Sequence, residues 1–198
     1  LLPSLLAAQR VLHFTTRVIE TDPAQTVSEI AGASPDGRGH IVLQFRARPT
    51  AAIIARLERR GVRVLGDVPE NGLLVSVDGP TSAQRLGAHY AAPMEAQDKI
   101  SPLIAQARLP AAGNLDGRFG GHVRGDAGRR LGGYFLVAFY PDADMSQARS
   151  TLLNLGYIPI DNPDLHPQQL MIHLNPDRVA SALAALTALD AVNYIFPA

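Results

Sequence analysis

Apolar positions along the chain fall into two successive series with the same punctuation. In the first, His40-Ile41-Val42-Leu43-Gln44-Phe45 is rich in strand formers, and after Pro49-Thr50 the residues Ile53, Ile54 and Leu57 recur on one helical face. Gly61 is placed to end that helix as a left-handed C′ residue. Val62 to Leu65 and Leu73 to Val77 then flank a turn whose Asn71-Gly72 suits positive φ, which predicts an antiparallel hairpin. A short helix is expected from Thr81 to Leu86, stopped by Gly87, with a last strand from Ala88 to Ala92. The expected order is β-α-β-β-α-β.

The second series repeats it. Tyr134 to Phe139 predicts a strand, Asp142 or Asp144 a helix cap, and Met145, Ala148, Leu152 and Leu155 a buried stripe before Gly156. Gly156 to Leu174 echoes Gly61 to Val77: a glycine, β-type residues, a turn rich in Pro, Asn and Asp, and an apolar strand from Leu170 to Leu174. Asn175-Pro176 reads as an N-cap with proline at N1, followed by a helix lined by Val179, Ala182, Leu183, Leu186 and Leu189. Val192 to Phe196 closes the sheet, and Leu136, Leu152, Ile172, Leu183 and Leu186 are expected to share one interior.

These patterns predict an α+β protein of two tandem ferredoxin-like (βαββαβ) units, each with an antiparallel sheet and two helices on one face. The expected division is an N-terminal extension over 1–38, a first unit over 39–112, a Gly/Arg-rich linker over 113–133 and a second unit over 134–198. Within the extension, Leu1 to Gln9 is expected as an amphipathic turn, Val11 to Val18 as an added edge strand, and Asp22 to Asp36 as a loop. The glycines from 117 onward contain neither a G-x-G-x-x-G nor a Walker lysine, so the linker is not expected to hold phosphate.

Composition narrows the classes further. Hydrophobic residues make up 46% and charged residues 18%, enough to bury a core. Formal net charge is zero, which removes the global field that draws a protein to nucleic acid or an anionic membrane. No apolar run has the length of a membrane span, and the absence of cysteine excludes disulfides, thiolate metal sites and a cysteine nucleophile.

Candidate chemistry is sparse. The histidines His13, His40, His89, His122, His166 and His173 show no metal-ligand spacing, and those in strand-like runs, His13, His40 and His173, are expected on solvent faces. Ser34 in GASPDG lacks the spacing of a nucleophile elbow. Asp161-Asn162-Pro163-Asp164 resembles a calcium ligand set in composition but lacks the twelve-residue loop with its terminal glutamate, and Asp67 and Glu70 belong to the equivalent turn. The expectation is a chain with no catalytic residues, no metal and no cofactor.

GHIVLQF, a helix, and RRGVRVLGDVPENGLLVSV together resemble the repeated N-terminal module of secreted subtilisin-like (S8) proteases. In YAAPMEAQDKISPLI, residues Pro93, Lys99, Ile100, Ser101 and Pro102 match that module's closing segment, while Ala92 and Met94 replace its usual glycine and aromatic. LTALDAVNYIFPA is similar to the end of a protease propeptide, with Val192, Tyr194 and Ile195 on matching positions and Phe196-Pro197 in place of the usual acidic pair. The resemblance implies an intramolecular chaperone and inhibitor, secreted or periplasmic. Its partner would be a protease catalytic domain of the same precursor, contacted through Tyr194, Ile195, Phe196, Pro197 and Ala198 in a substrate-like strand. Matrixin-like metalloproteases with a similar N-terminal region, a structural or protein-interaction domain pair, and a small-ligand-binding regulatory tandem remain as alternatives.

Overall fold

The structure is a computed structural model that describes residues 11–13, 18–21, 38–79, 81–107 and 133–198. The expected N-terminal turn, the loop after Asp22 and the linker as far as residue 132 lie outside the described residues. The fold is α+β, with antiparallel sheets and, among the described residues, five α-helices.

Strands β1 (Val11–His13) and β2 (Val18–Glu20) pair with each other as a separate two-stranded sheet, in place of the single edge strand expected there. The first large unit runs β3 (Arg38–Gln44), α1 (Ala51–Glu58), β4 (Arg63–Val68), β5 (Gly72–Asp78), α2 (Ala83–Leu86) and β6 (Tyr90–Pro93). Its sheet order is β4-β5-β3-β6, all antiparallel. The β4–β5 turn places its positive φ at Glu70 and Asn71, one residue earlier than Asn71-Gly72. Gly72 instead begins β5 opposite Val68, whose Cβ lies 2.8 Å from where a Gly72 Cβ would sit. Glycine is therefore required there for close approach and not for its φ.

The second unit contains β7 (Gly133–Phe139), α4 (Met145–Asn154), β8 (Gln169–Leu174), α5 (Val179–Thr187) and β9 (Val192–Pro197), with sheet order β8-β7-β9. It is preceded by a 3-10 turn (Ala96–Lys99) and α3 (Pro102–Ala107). The strand expected after Gly156 is reduced to one bridge, Ile160 to Met171, because Pro159 has no N–H to donate to a ladder.

The two main helices end identically. Gly61 (φ +80°) donates to Glu58 and Val62 to Leu57; Gly156 (φ +84°) donates to Leu153 and Tyr157 to Leu152. Both are Schellman closures, and the residue three positions inside each end, Leu57 or Leu152, is fully buried. Strand alternation sets the cores. Ile41 and Leu43 point toward α1 and α2, while Phe135, Val137 and Phe139 point toward α4 and α5. Leu136 therefore faces away from the interior that holds Leu152, Ile172, Leu183 and Leu186, and Leu155, at the Schellman turn, is 41% exposed. Both were expected inside. Ile104 of α3 belongs to this second core, with Ile100 packed against it.

Candidate functional site

The outer face of the first sheet is not open. His40, Val42 and Gln44 alternate with the core residues of β3, and all three are buried. Gln44 accepts a hydrogen bond from Thr21, and His40 is covered by the second unit. Its Nε2 lies 3.0 Å from Asp142 Oδ1, its Nδ1 meets Asp190 Oδ2, and its backbone N–H donates to Asp190 Oδ1 at 3.2 Å. The ring stacks on Tyr140, with centroids 3.9 Å apart.

Each member comes from a place the sequence dictates locally. His40 lies within β3. Tyr140 and Asp142 follow the last residue of β7, and Asp190 sits in the turn between α5 and β9. Of the two aspartates offered as caps for α4, Asp144 takes that role, accepting from Ser146 and Gln147. Asp142 is thereby free to turn back to His40. Arg63 of β4 adds its guanidinium 3.6 Å from the second Asp142 oxygen.

Burial alone would push the His40 pKa down, but hydrogen bonds and charge from Asp190 and Asp142 outweigh it and raise the value. Burial raises both carboxyls in turn. The hydrogen bond and charge of His40 overcome that, helped by Lys99 at Asp190, and both carboxyls are lowered. Burial, reinforced by the charges of Asp190, Asp98 and Asp142, pushes the Tyr140 phenol up. Each ring nitrogen of His40 thus faces a carboxylate oxygen, a pairing that an imidazolium, with two N–H donors, satisfies at both ends.

Lys99 is the second tie. It is the only lysine of the chain and is 4% exposed, donating to the carbonyl of Leu189 at 2.9 Å and of Asp190 at 3.5 Å. Burial lowers its pKa, with Asp190 partly restoring it. Asp98 closes the same turn by accepting from the Glu95 N–H, and the Ser101 N–H donates to the Ile195 carbonyl. The KISP stretch singled out in the sequence therefore fastens the turn before β9 and one edge of β9 itself.

The second sheet has a different outer face. Tyr134, Leu136, Met171, His173, Tyr194 and Phe196 all lie on the side away from its helices. Tyr134 opposes His173, and Leu136 lies between Met171 and Phe196. Tyr134 is 54% exposed, and the rings of Tyr194 and Phe196 stand 6.2 Å apart. Among the terminal residues expected to contact a protease, Tyr194 and Phe196 lie on this face. Ile195 points into the core and is fully buried. Pro197 pairs with Phe135, and the Ala198 N–H donates to the Tyr134 carbonyl.

An open groove of about 650 Å³ between the ends of α1 and α2 is lined by Arg56, Arg60 and Arg85, with Arg60 donating to the Arg85 carbonyl. Asp161 is 88% exposed and pairs with Arg149. Among the described residues no cluster of three or more His, Asp or Glu is placed to hold a metal. No helix among them is long and apolar enough to cross a membrane.

The sequence reading missed His40. It expected a solvent-facing histidine, and the structure makes His40 the centre of the contact between units. The one available signal was alternation: Ile41 and Leu43 fix the inner face of β3, which places His40 with Val42 and Gln44 on the outer face. A model for a domain of unknown function (DUF8729) matches residues 13–98, which include His40 and exclude Asp142 and Asp190. No curated protein and no solved structure matches the chain.

Proposed function

We propose that the chain is a non-catalytic, protein-binding region of a secreted or periplasmic protease precursor, acting on the protease domain as chaperone and inhibitor. In this reading both units are ferredoxin-like. The order β4-β5-β3-β6 supports that for the first, and β8-β7-β9 with the Ile160 bridge supports it for the second.

The observation that carries the reading is the asymmetry between two otherwise repeated units. The outer-face residues of β3 are buried by contacts inside the chain, whereas on the second sheet's outer face Tyr134 is exposed and Leu136, Met171, Tyr194 and Phe196 are half-buried. Aromatic and methionine side chains on a rigid sheet are the anchors from which interface energy is built. The partner is named from the resemblance of the KISP segment to the closing segment of the N-terminal module of subtilisin-like proteases and of LTALDAVNYIFPA to the end of a protease propeptide.

The substrate-like contact is made by Tyr194 and Phe196 as side chains of a formed strand, since Ile195 and Pro197 are occupied within the fold. The coding sequence downstream of Ala198 tests the reading. A Ser/His/Asp set in the subtilisin order, or H-E-x-x-H-x-x-G-x-x-H for the metalloprotease class, supports it. A downstream region with neither overturns it.

A further inference from the structure

His40 stands where the two units meet, and the charged groups around it come from every element packed there. The second unit contributes Asp142 after β7, Asp190 before β9 and the Tyr140 ring. The first contributes Arg63 of β4, 52% exposed, on the far side of Asp142, and Ser76 of β5, which is paired with His40 across the sheet. The 3-10 turn contributes Lys99, whose ammonium is spent on the Leu189 and Asp190 carbonyls, and Asp98, which caps that turn. The two carboxylates sit directly on the ring, and the two cations lie behind them.

A neutral imidazole carries one N–H and one lone pair. Held between two carboxylates, it can donate to only one, and its bare nitrogen then faces the other carboxylate's oxygen in a buried seam. An imidazolium donates to both. We propose that Asp142–His40–Asp190 is a proton-operated latch: it holds the two units in one arrangement while His40 carries both ring protons, and releases that arrangement when one proton leaves to solvent. The latch rests on the seam alone and is independent of the protease reading. Asp142 lies three residues after β7 and Asp190 two residues before β9, the strands that carry the aromatic outer face, so release at His40 acts at the base of that face.

The test uses the full chain. It contains no cysteine, so Glu58→Cys on α1 and Leu153→Cys on α4, both exposed, provide a spin-label pair across the seam. Distance distributions are measured by pulsed electron resonance from about pH 5.5 to about pH 9, while the His40 imidazole is followed by NMR. The latch predicts one narrow distance at acidic pH, and loss of that population as pH rises, with the same midpoint as the His40 titration. His40→Gln, whose neutral amide presents its N–H donors at one end and only a carbonyl acceptor at the other, is expected to show the broad distribution at every pH. A narrow distance that persists after NMR shows His40 deprotonated overturns the latch, as does a folded His40→Gln chain that keeps the narrow distance. If His40→Gln does not fold, coincidence or mismatch of the two wild-type midpoints decides.

Discussion

The His40 imidazole lies flat on the Tyr140 phenol, with ring planes 12° apart, although His40 lies in the first sheet and Tyr140 directly follows the central strand of the second. That stack buries the imidazole between Asp142 and Asp190. Removing the imidazole leaves the two carboxylates facing each other with no group between them. His40→Ala is therefore expected to cost about 3–5 kcal/mol in urea denaturation, the range for breaking a buried charge pair from one side. A cost below about 1 kcal/mol would mean that the carboxylates rotate freely into water.

Stability should also follow pH with a definite sign. The His40 pKa is raised by folding, so its contribution is full below the ordinary histidine value near 6.5 and is lost as pH rises through the raised value. The Asp142 and Asp190 pKa values are lowered, so their contribution is present above the ordinary carboxylate value near 3.9 and is lost as pH falls through the lowered ones. Denaturation midpoints are expected to peak between these limits, and His40→Gln should flatten the alkaline limb. A wild-type midpoint that rises from neutral to alkaline pH would contradict the assignment.

Gly61 and Gly156 test the repeated helix ends. Both have positive φ, and a Cβ at either would meet nothing within 4 Å, so substitution costs backbone strain without a clash. Gly61→Ala and Gly156→Ala should each destabilise by about 1–2 kcal/mol, and by similar amounts, in thermal or urea unfolding.

The orientation of β7 gives a contrast between the second core and the outer face of its sheet. Leu183→Ala, in the second core, should cost about 2–5 kcal/mol, whereas Leu136→Ala, on the outer face, should cost about 1 kcal/mol or less. Equal costs would place Leu136 in the interior.

Periodicity made most elements legible. Leu57 with Gly61 and Leu152 with Gly156 marked two helices and their ends, and Asn71-Gly72 located the hairpin turn to within one residue. It was weaker where two solutions share one pattern. Tyr134 to Phe139 is apolar throughout, so alternation alone did not say whether Leu136 or Phe135 and Val137 faced inward; the β8 and β9 pairings decide that. The His40 cluster was not legible because its members are 102 and 150 residues apart, and each is unremarkable in its own neighbourhood. Asp142 even has a plausible local use as a helix cap, which Asp144 takes instead.

The proposed docking face is tested most directly by inhibition of the protease domain proposed to share the precursor, by the chain and by its Tyr194→Ser/Phe196→Ser variant. Removing Tyr194 to Ala198 would take Ile195 from the core and the Ala198 to Tyr134 hydrogen bond with it. The double substitution changes only half-buried side chains on the outer face, and circular dichroism is expected to report an unchanged fold. The account predicts inhibition weakened by about 2 kcal/mol or more, roughly thirtyfold in the inhibition constant. A folded variant that inhibits as strongly as the parent chain would contradict it.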